Sequence, residues 1–259
     1  MKRRLNSKTV RFRFSDPEFI SAFNSLPNEV LLEIFNFLPG PELRKCCCTC
    51  KKWRDLVSTL FDTEVVIICD TTMSMASTWK MLVPQIDKLV KQKDKIRFGF
   101  VGYADHYESN KVVTSLPLTY LSDKLISGIK QIPLGVGHDE PEAVLDGLYA
   151  ALQLDWKPNS HKACILICDS PPHGRRYWTT SQDEIYLDDD YPDGCPCGLS
   201  ETFILSHFKD MSFFMLVLYT SPSVEKMCSL FKEQVPNMMS IEIKSNDLGD
   251  MLETISKVL

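Results

Sequence analysis

The sequence has no run of about 18 apolar residues, so no membrane-spanning helix is expected. Its first residues are charged but no apolar stretch follows them, so no secretory signal is expected either. No Asn-x-Ser/Thr acceptor occurs. Positive charge is not in excess: 29 Lys and Arg stand against 34 Asp and Glu, a net charge of −5. Binding along a phosphate backbone needs clustered positive charge, so nucleic acid is not an expected partner. There is no internal repeat and no Gly-Lys-Ser/Thr phosphate loop. Gly135-Val-Gly137 lacks the third glycine and the preceding strand of a dinucleotide site. A disulfide framework is also missing, although ten cysteines are present. Cys46, Cys47, Cys48 and Cys50 crowd into one segment, where neighbours rarely pair for geometric reasons. Cys69, Cys164 and Cys168 lie inside apolar runs and read as small core residues. The expected compartment is therefore reducing, cytoplasm or nucleus.

What is present is ordinary for a soluble globular protein: 44% hydrophobic and 24% charged residues. The chain falls into three parts. Residues 1–20 form a polar lead-in carrying Lys2, Arg3, Arg4, Lys8, Arg11 and Arg13, read as a disordered basic arm. A nuclear-import or anionic-surface patch is the functional alternative. Residues 21–61 form a compact helical unit. Ser25 is placed to cap its first helix, Pro27 sits near the first turn, and Val30, Leu31, Ile34, Phe35 and Leu38 recur at helical spacing. Pro39-Gly40-Pro41 stops that helix. A second helix runs through Leu43 to the cysteine cluster, and a third carries Trp53, Leu56 and Val57. Forty residues make a small core, so such a unit needs something to cover its apolar face.

Residues 63–259 alternate strand and helix. Strands are expected at 64–69, 97–103, 111–118 (an edge strand), 163–168, 212–218 and 240–244. Helices are expected at 74–92, 122–131, 141–154, up to 210, from 222, and at 248–259. A loop of about 30 residues separates Asp169 from Leu199. This alternation predicts an α/β domain, a doubly wound, mostly parallel sheet with helices on both faces. Ligands of such sheets sit beyond the carboxyl ends of the strands.

The helical unit resembles an F-box. Leu26-Pro27-x-Glu29-Val, Ile34-Phe35-x-x-Leu38, then Cys50-Lys-Lys-Trp53 match the family's anchors over some 38 residues, with Cys48 and Thr49 replacing its usual aliphatic pair. The resemblance implies docking to the Skp1 adaptor of a cullin-RING ubiquitin ligase. Leu26, Pro27, Ile34 and Leu38 are the expected contacts, and Trp53 holds the helices together. The alternative is a three-helix unit packed only onto its own neighbour.

At the end of the first strand stands Asp70-Thr-Thr72-Met-Ser74, which resembles the Asp-x-Ser-x-Ser loop of the von Willebrand factor A (vWA) domain. Hard divalent cations take oxygen ligands, and a hydroxyl at Thr72 replaces one at serine without loss. Asp169, in Cys-Asp-Ser-Pro-Pro-His173-Gly, matches the family's third-loop aspartate. The second loop, Gly135 to Ala143, offers Asp139 or Glu140 where the family has threonine. With Gly-Tyr103-x-Asp105-His106, these segments look like the intracellular vWA type found attached to alpha-kinases, although no kinase domain is expected in these 259 residues. The resemblance implies a Rossmann-like fold and a Mg2+ held by Asp70, Thr72, Ser74, Asp139 and Asp169, a metal-ion-dependent adhesion site. Two aspartates neutralise a divalent ion; a third carboxylate makes it a weaker electrophile. The alternative is a loop in which Asp70 and Asp169 only cap neighbouring helices.

Other motifs carry less. A haloacid-dehalogenase-type phosphatase needs an aspartate where Thr72 stands. Cys195-Pro-Cys197 is half a zinc site, and with only distant histidines such as His173 and His207 in view it reads as a proline-stiffened turn. His138 and His173 read as hydrogen-bonding loop residues. The acidic stretch Asp183, Glu184, Asp188, Asp189, Asp190 and Asp193 reads as a solvated face or a surface for a basic target. Tyr177, Trp178 and Tyr186 in the same loop are candidate target anchors, since aromatics anchor interfaces. The combined expectation is a non-catalytic substrate receptor of a Skp1-cullin-F-box (SCF) ligase that holds an unidentified target protein. A divalent-metal-dependent scaffold outside any ligase is the alternative.

Overall fold

The structure is a computed structural model. It describes residues 17–38, 45–46, 48–58, 63–93, 95–107, 112–157, 160–177, 189–244 and 255. The chain divides into two compact units, Met1–Phe61 and Asp62–Leu259.

In the first unit, α1 (Pro17–Asn24), α2 (Asn28–Asn36) and α3 (Lys51–Ser58) surround a small core. Lys45, Cys46, Cys48 and Thr49 are also helical. Leu31, Phe35, Cys46, Trp53 and Val57 are fully buried. The Phe35 ring meets Trp53 edge-on at 5.4 Å, and Phe23 of α1 lies 5.7 Å from the same indole. Trp53 thus joins three elements, as expected from its place in the sequence. Two expectations are corrected. Helix α1 occupies part of the stretch read as a disordered lead-in; residues 1–16 lie outside the described residues. Ser25 does not cap α2, whose cap position is Pro27 with no side-chain bond. Its hydroxyl instead donates to the Ala22 carbonyl at 2.6 Å and closes the turn behind α1.

The second unit is a six-stranded sheet of order β3-β2-β1-β4-β5-β6. The strands are β1 (Thr63–Asp70), β2 (Arg97–Tyr103), β3 (Val113–Thr119), β4 (His161–Cys168), β5 (Phe214–Tyr219) and β6 (Met238–Glu242). All pair in parallel except β3, which is antiparallel on the edge. The helices are α4 (Ala76–Gln92), α5 (Ser122–Ile129), α6 (Val144–Leu152), α7 (Glu201–Asp210) and α8 (Glu225–Gln234). Alternate residues of β1 face opposite cores: Val65, Ile67 and Cys69 pack with α4 and α5, Val66 and Ile68 with α6, α7 and α8. A strand covered on both faces must be apolar throughout, which is why β1 and β4 read as continuous hydrophobic runs. The expected closing helix at 248–259 lies outside the described residues except for Ile255, which is buried. Among the described residues, no helix is long and apolar enough to cross a membrane.

Candidate functional site

Strand order reverses between β1 and β4, so the loops after these strands diverge at the carboxyl edge, where sheets of this kind place their ligands. Backbone hydrogen bonds gather four loops there. Thr71 donates both its N–H and its hydroxyl to the Tyr103 carbonyl, each at 2.8 Å. Gly135 N–H donates to Thr71 O at 2.7 Å, Glu142 N–H to Pro171 O at 3.0 Å, and Ala143 N–H to Ala104 O at 3.1 Å. The ends of β1, β2 and β4 and the 135–143 loop therefore form one platform.

On it, Asp70 Oδ1 accepts from Thr72 N–H at 2.8 Å and from the Thr72 hydroxyl at 2.6 Å. The Thr72 and Ser74 hydroxyls are 3.0 Å apart. Asp169 faces Asp70 closely enough to share a hydrogen bond with it when one carboxyl is protonated. The structure thus brings Asp70, Thr72, Ser74 and Asp169 together. Asp70 and Thr72 are buried while Ser74 is exposed, so the group opens to solvent on one side.

The second-loop carboxylate is Glu142, which the sequence reading passed over. A Cβ on Gly137 would lie 3.4 Å from Glu142 Oε1 and 3.7 Å from Thr72 Cβ; Gly137 also has φ +66°, so glycine alone fits that turn without strain. Burial, then the charges of Asp70, Asp105 and Asp169, push Glu142 up to about 10. Burial first and the Asp169 charge second push Asp70 up to about 7, against the opposing hydrogen bonds from Thr72. Asp70 Oδ2 and Glu142 Oε2 are both buried with no hydrogen-bond partner. Unsatisfied buried carboxylate oxygens are costly, and beside two hydroxyls they make a donor set suited to a hard divalent ion.

Asp139 is not part of this group, which corrects the expected ligand set; Glu140 is exposed. The Asp139 side chain turns toward the buried His173, 3.8 Å from its Nδ1, and its Oδ2 accepts from Asp190 N–H at 2.7 Å. His173 also meets Asp189 at 2.9 Å and Asp105 at 3.8 Å. The Asp189 side chain is buried, so it does not belong to a solvated face; Asp183, Glu184 and Asp188 lie outside the described residues.

Tyr177 is not free to anchor a target. It is 2% exposed, packs edge-on against Phe231, and its hydroxyl donates to the buried Glu201. The other two aromatic candidates, Trp178 and Tyr186, lie outside the described residues. The apolar groups exposed near the platform are Met73 (55%), Val136 (71%) and Tyr107 (62%), whose ring stacks on His138 at 4.8 Å. A lone exposed Met or Val carries no signal in a sequence, so only the loop geometry reveals this rim.

In the helical unit, Pro27 and Val30 are exposed and Leu26, Ile34 and Leu38 half-buried, while Phe37 is 88% exposed. Positions 27, 30, 34 and 37–38 follow helical spacing, so they line one face of α2 and its final turn. Leu31 and Phe35, on the adjoining side of the helix, fill the core.

The family description matching this part of the chain is F-box-like, over residues 23–62. Those residues are an F-box-like domain. It supplies α2 and α3 whole and the end of α1. A curated relative is the alpha-protein kinase vwkA of Dictyostelium discoideum, 29% identical over 142 residues. The match covers 52% of this chain and 22% of vwkA, so this chain spans under a quarter of that relative's length. Among solved structures, an aerotolerance-related membrane protein from Bacteroides fragilis aligns with TM-score 0.51 and 14% identity, covering 75% of this chain and 97% of that one. The pilus adhesin SpaC from Lactobacillus rhamnosus GG aligns with TM-score 0.53 and 12% identity, over 76% and 30%. Proximal thread matrix protein 1 from the mussel byssus gives 0.50 and 12%, over 81% and 53%. At these identities the likeness concerns the fold alone, and the fold is vWA-like. The second unit is a six-stranded, mostly parallel sheet flanked by helices.

Proposed function

We propose that this chain is a substrate-recognition subunit of an SCF ubiquitin ligase, working in the cytoplasm or nucleus. The F-box-like domain docks Skp1, and through it the cullin, while the vWA-like domain holds the target. The observation that carries the reading is the exposed apolar face of α2 on a domain with only a small core of its own. A patch of this kind on a soluble unit marks a binding site. Leu26, Pro27, Ile34 and Leu38 lie on or beside it, and Val30 and Phe37 extend it. The chain acts as an adaptor in this reading, and catalysis is left to its partners.

Target capture is assigned to the platform at the carboxyl edge of the sheet. Asp70, Thr72, Ser74, Glu142 and Asp169 would hold a Mg2+. When bound, that ion supplies positive charge that neutralises buried carboxylates and orders the loops. Three carboxylates around one divalent ion leave a formal net negative charge. The platform therefore favours a neutral or basic target group over a carboxylate, and Met73, Val136 and Tyr107 supply the apolar contact beside it.

The test is affinity capture of the full chain from cells. Skp1 and cullin are expected with the wild type and absent with Val30→Glu/Phe37→Glu, whose substitutions fall on exposed positions and spare the core. Met73→Asp/Val136→Asp should keep Skp1 and lose the target proteins. A folded wild type that recovers no Skp1 would overturn the ligase reading and leave a metal-dependent scaffold in its place.

A further inference from the structure

Outside the platform, the structure gathers two thiols, an imidazole and a carboxylate from three separate segments. His106 follows β2, Asp146 lies in the first turn of α6, and Cys195 and Cys197 belong to the loop before α7. One ligand atom from each of the four lies within 4.8 Å of all the others. His106 Nε2 is 3.1 Å from Asp146 Oδ2 and 3.6 Å from Cys195 Sγ. Cys195 Sγ is 3.2 Å from Asp146 Oδ2, and Cys197 Sγ lies 3.9 Å from Nδ1 of the same imidazole. A tetrahedral zinc, with Zn–S about 2.3 Å and Zn–N or Zn–O about 2.0–2.1 Å, spaces its ligand atoms roughly 3.3–3.8 Å apart. The three distances among His106, Asp146 and Cys195 sit close to those edges already.

The local backbone is shaped for this. Cys195-Pro-Cys197-Gly198 is a turn closed by Gly198 N–H donating to Cys195 O at 3.0 Å. Proline at the second position and glycine at the fourth suit such a turn, which folds Cys197 back toward Cys195. Gly194 (φ +120°) and Gly198 (φ +72°) bracket it with backbone angles that side chains resist. His106 is held in place with its side chain 4% exposed and Tyr191 edge-on at 5.7 Å.

We propose that His106, Asp146, Cys195 and Cys197 form a structural zinc site that pins the segment around Tyr191–Gly198 to the carboxyl edge of the sheet. Donor chemistry selects the metal. Two thiolates and an imidazole suit zinc; magnesium and calcium prefer all-oxygen ligands, and iron–sulfur clusters generally require more cysteine. Four protein ligands leave no open position, which is the pattern of a structural rather than a catalytic site. The consequence reaches the neighbouring platform. The same segment carries Asp189 and Tyr191, which hold His173 from two sides at 2.9 Å and 5.0 Å. A pin at Cys195 and Cys197 therefore fixes the wall behind Asp105 and Asp139.

The test uses the full chain, freed of any histidine tag, purified under reducing conditions and dialysed after zinc loading. Elemental analysis is expected to find about one zinc per chain, and under about a tenth of that in Cys195→Ser/Cys197→Ser. Cys48→Ser, an exposed cysteine of the front unit, is expected to keep the metal. Because the double variant could lose zinc by unfolding, Cys197→His serves as the second arm. It replaces one ligand by another, so it should retain zinc while the thiolate-to-metal absorption of the cobalt-substituted protein falls by about half. Hydrogen exchange at 189–199 should rise when a zinc-selective chelator is added. A wild type that holds no zinc and gives no thiolate–cobalt band overturns the proposal, as does zinc that follows Cys48 instead.

Discussion

Asp70 is a buried carboxyl that titrates far from its unfolded range. Its folded value of about 7 compares with roughly 3.9 in an unfolded chain. The sign follows directly: the fold prefers this group protonated. The stability it contributes is complete below the unfolded value and is lost as pH rises through about 7. A bound divalent ion reverses the preference by stabilising the carboxylate. Mg2+ is therefore expected to raise the melting temperature little near about pH 5 and clearly near about pH 8. Asp70→Asn should melt higher than the metal-free wild type at the upper pH and respond to Mg2+ at neither; thermal scans at both values decide. Tyr177 makes the contrasting case. Its hydroxyl donates to Glu201, which also takes a bond from Gln234 and lies 3.3 Å from Arg176. Tyr177→Phe should cost about 1–2 kcal/mol in urea unfolding and leave target capture unchanged. Asp70, Thr72, Ser74 and Asp169 were legible because each sits at a fixed offset from the end of an obvious strand. Glu142 was not. Three carboxylates crowd the 135–143 loop, and the choice among them depends on the turn at Gly137 and on the Glu142–Pro171 hydrogen bond, neither of which leaves a pattern in sequence.

Strands β1, β2 and β4 were readable to within two residues because parallel strands covered on both faces are continuous apolar runs of strand length. Helix starts were less readable. Among the described residues, two helices begin with a turn of 3-10 helix, at Met73–Met75 and Pro222–Val224, and the sequence carries no separate signal for that tightening. Helix α1 was missed because it is eight residues long and follows a basic stretch that dilutes its apolar spacing. Helix α6 shows how closely an element can be held. A Cβ at Gly147 would lie 2.6 Å from Cδ1 and 3.1 Å from Cγ of the buried Tyr103 ring, so the helix can sit against β2 only with glycine there. Alanine improves helix propensity by up to about 1 kcal/mol, but overpacking a tight core costs about 1–3 kcal/mol. Tyr103 is a fully buried ring inside the sheet's core cluster and has little room to give. The steric cost should win: Gly147→Ala is expected to be destabilising by roughly 1–2 kcal/mol in denaturant unfolding.

The two units each own a core, and they are of unequal size. The sheet is covered on both faces by separate apolar clusters, every described member of which falls within the second unit. The front unit relies on Leu31, Phe35, Cys46, Trp53 and Val57, and its only indole is the point where α1, α2 and α3 meet. Removing a fully buried Trp costs about 3–5 kcal/mol, a large share of what a unit of this size commands. Two-state unfolding of the whole chain is therefore not expected. Calorimetry of the full chain should resolve two transitions, the smaller enthalpy belonging to the front unit because enthalpy scales with residue number. Trp53→Ala should abolish or sharply lower the smaller transition and leave the larger within about 2 °C of the wild type. A single transition shifted as a whole would mean that the units unfold together. The same variant should lose Skp1 while keeping its Mg2+ response, which separates loss of the docking face from loss of the platform.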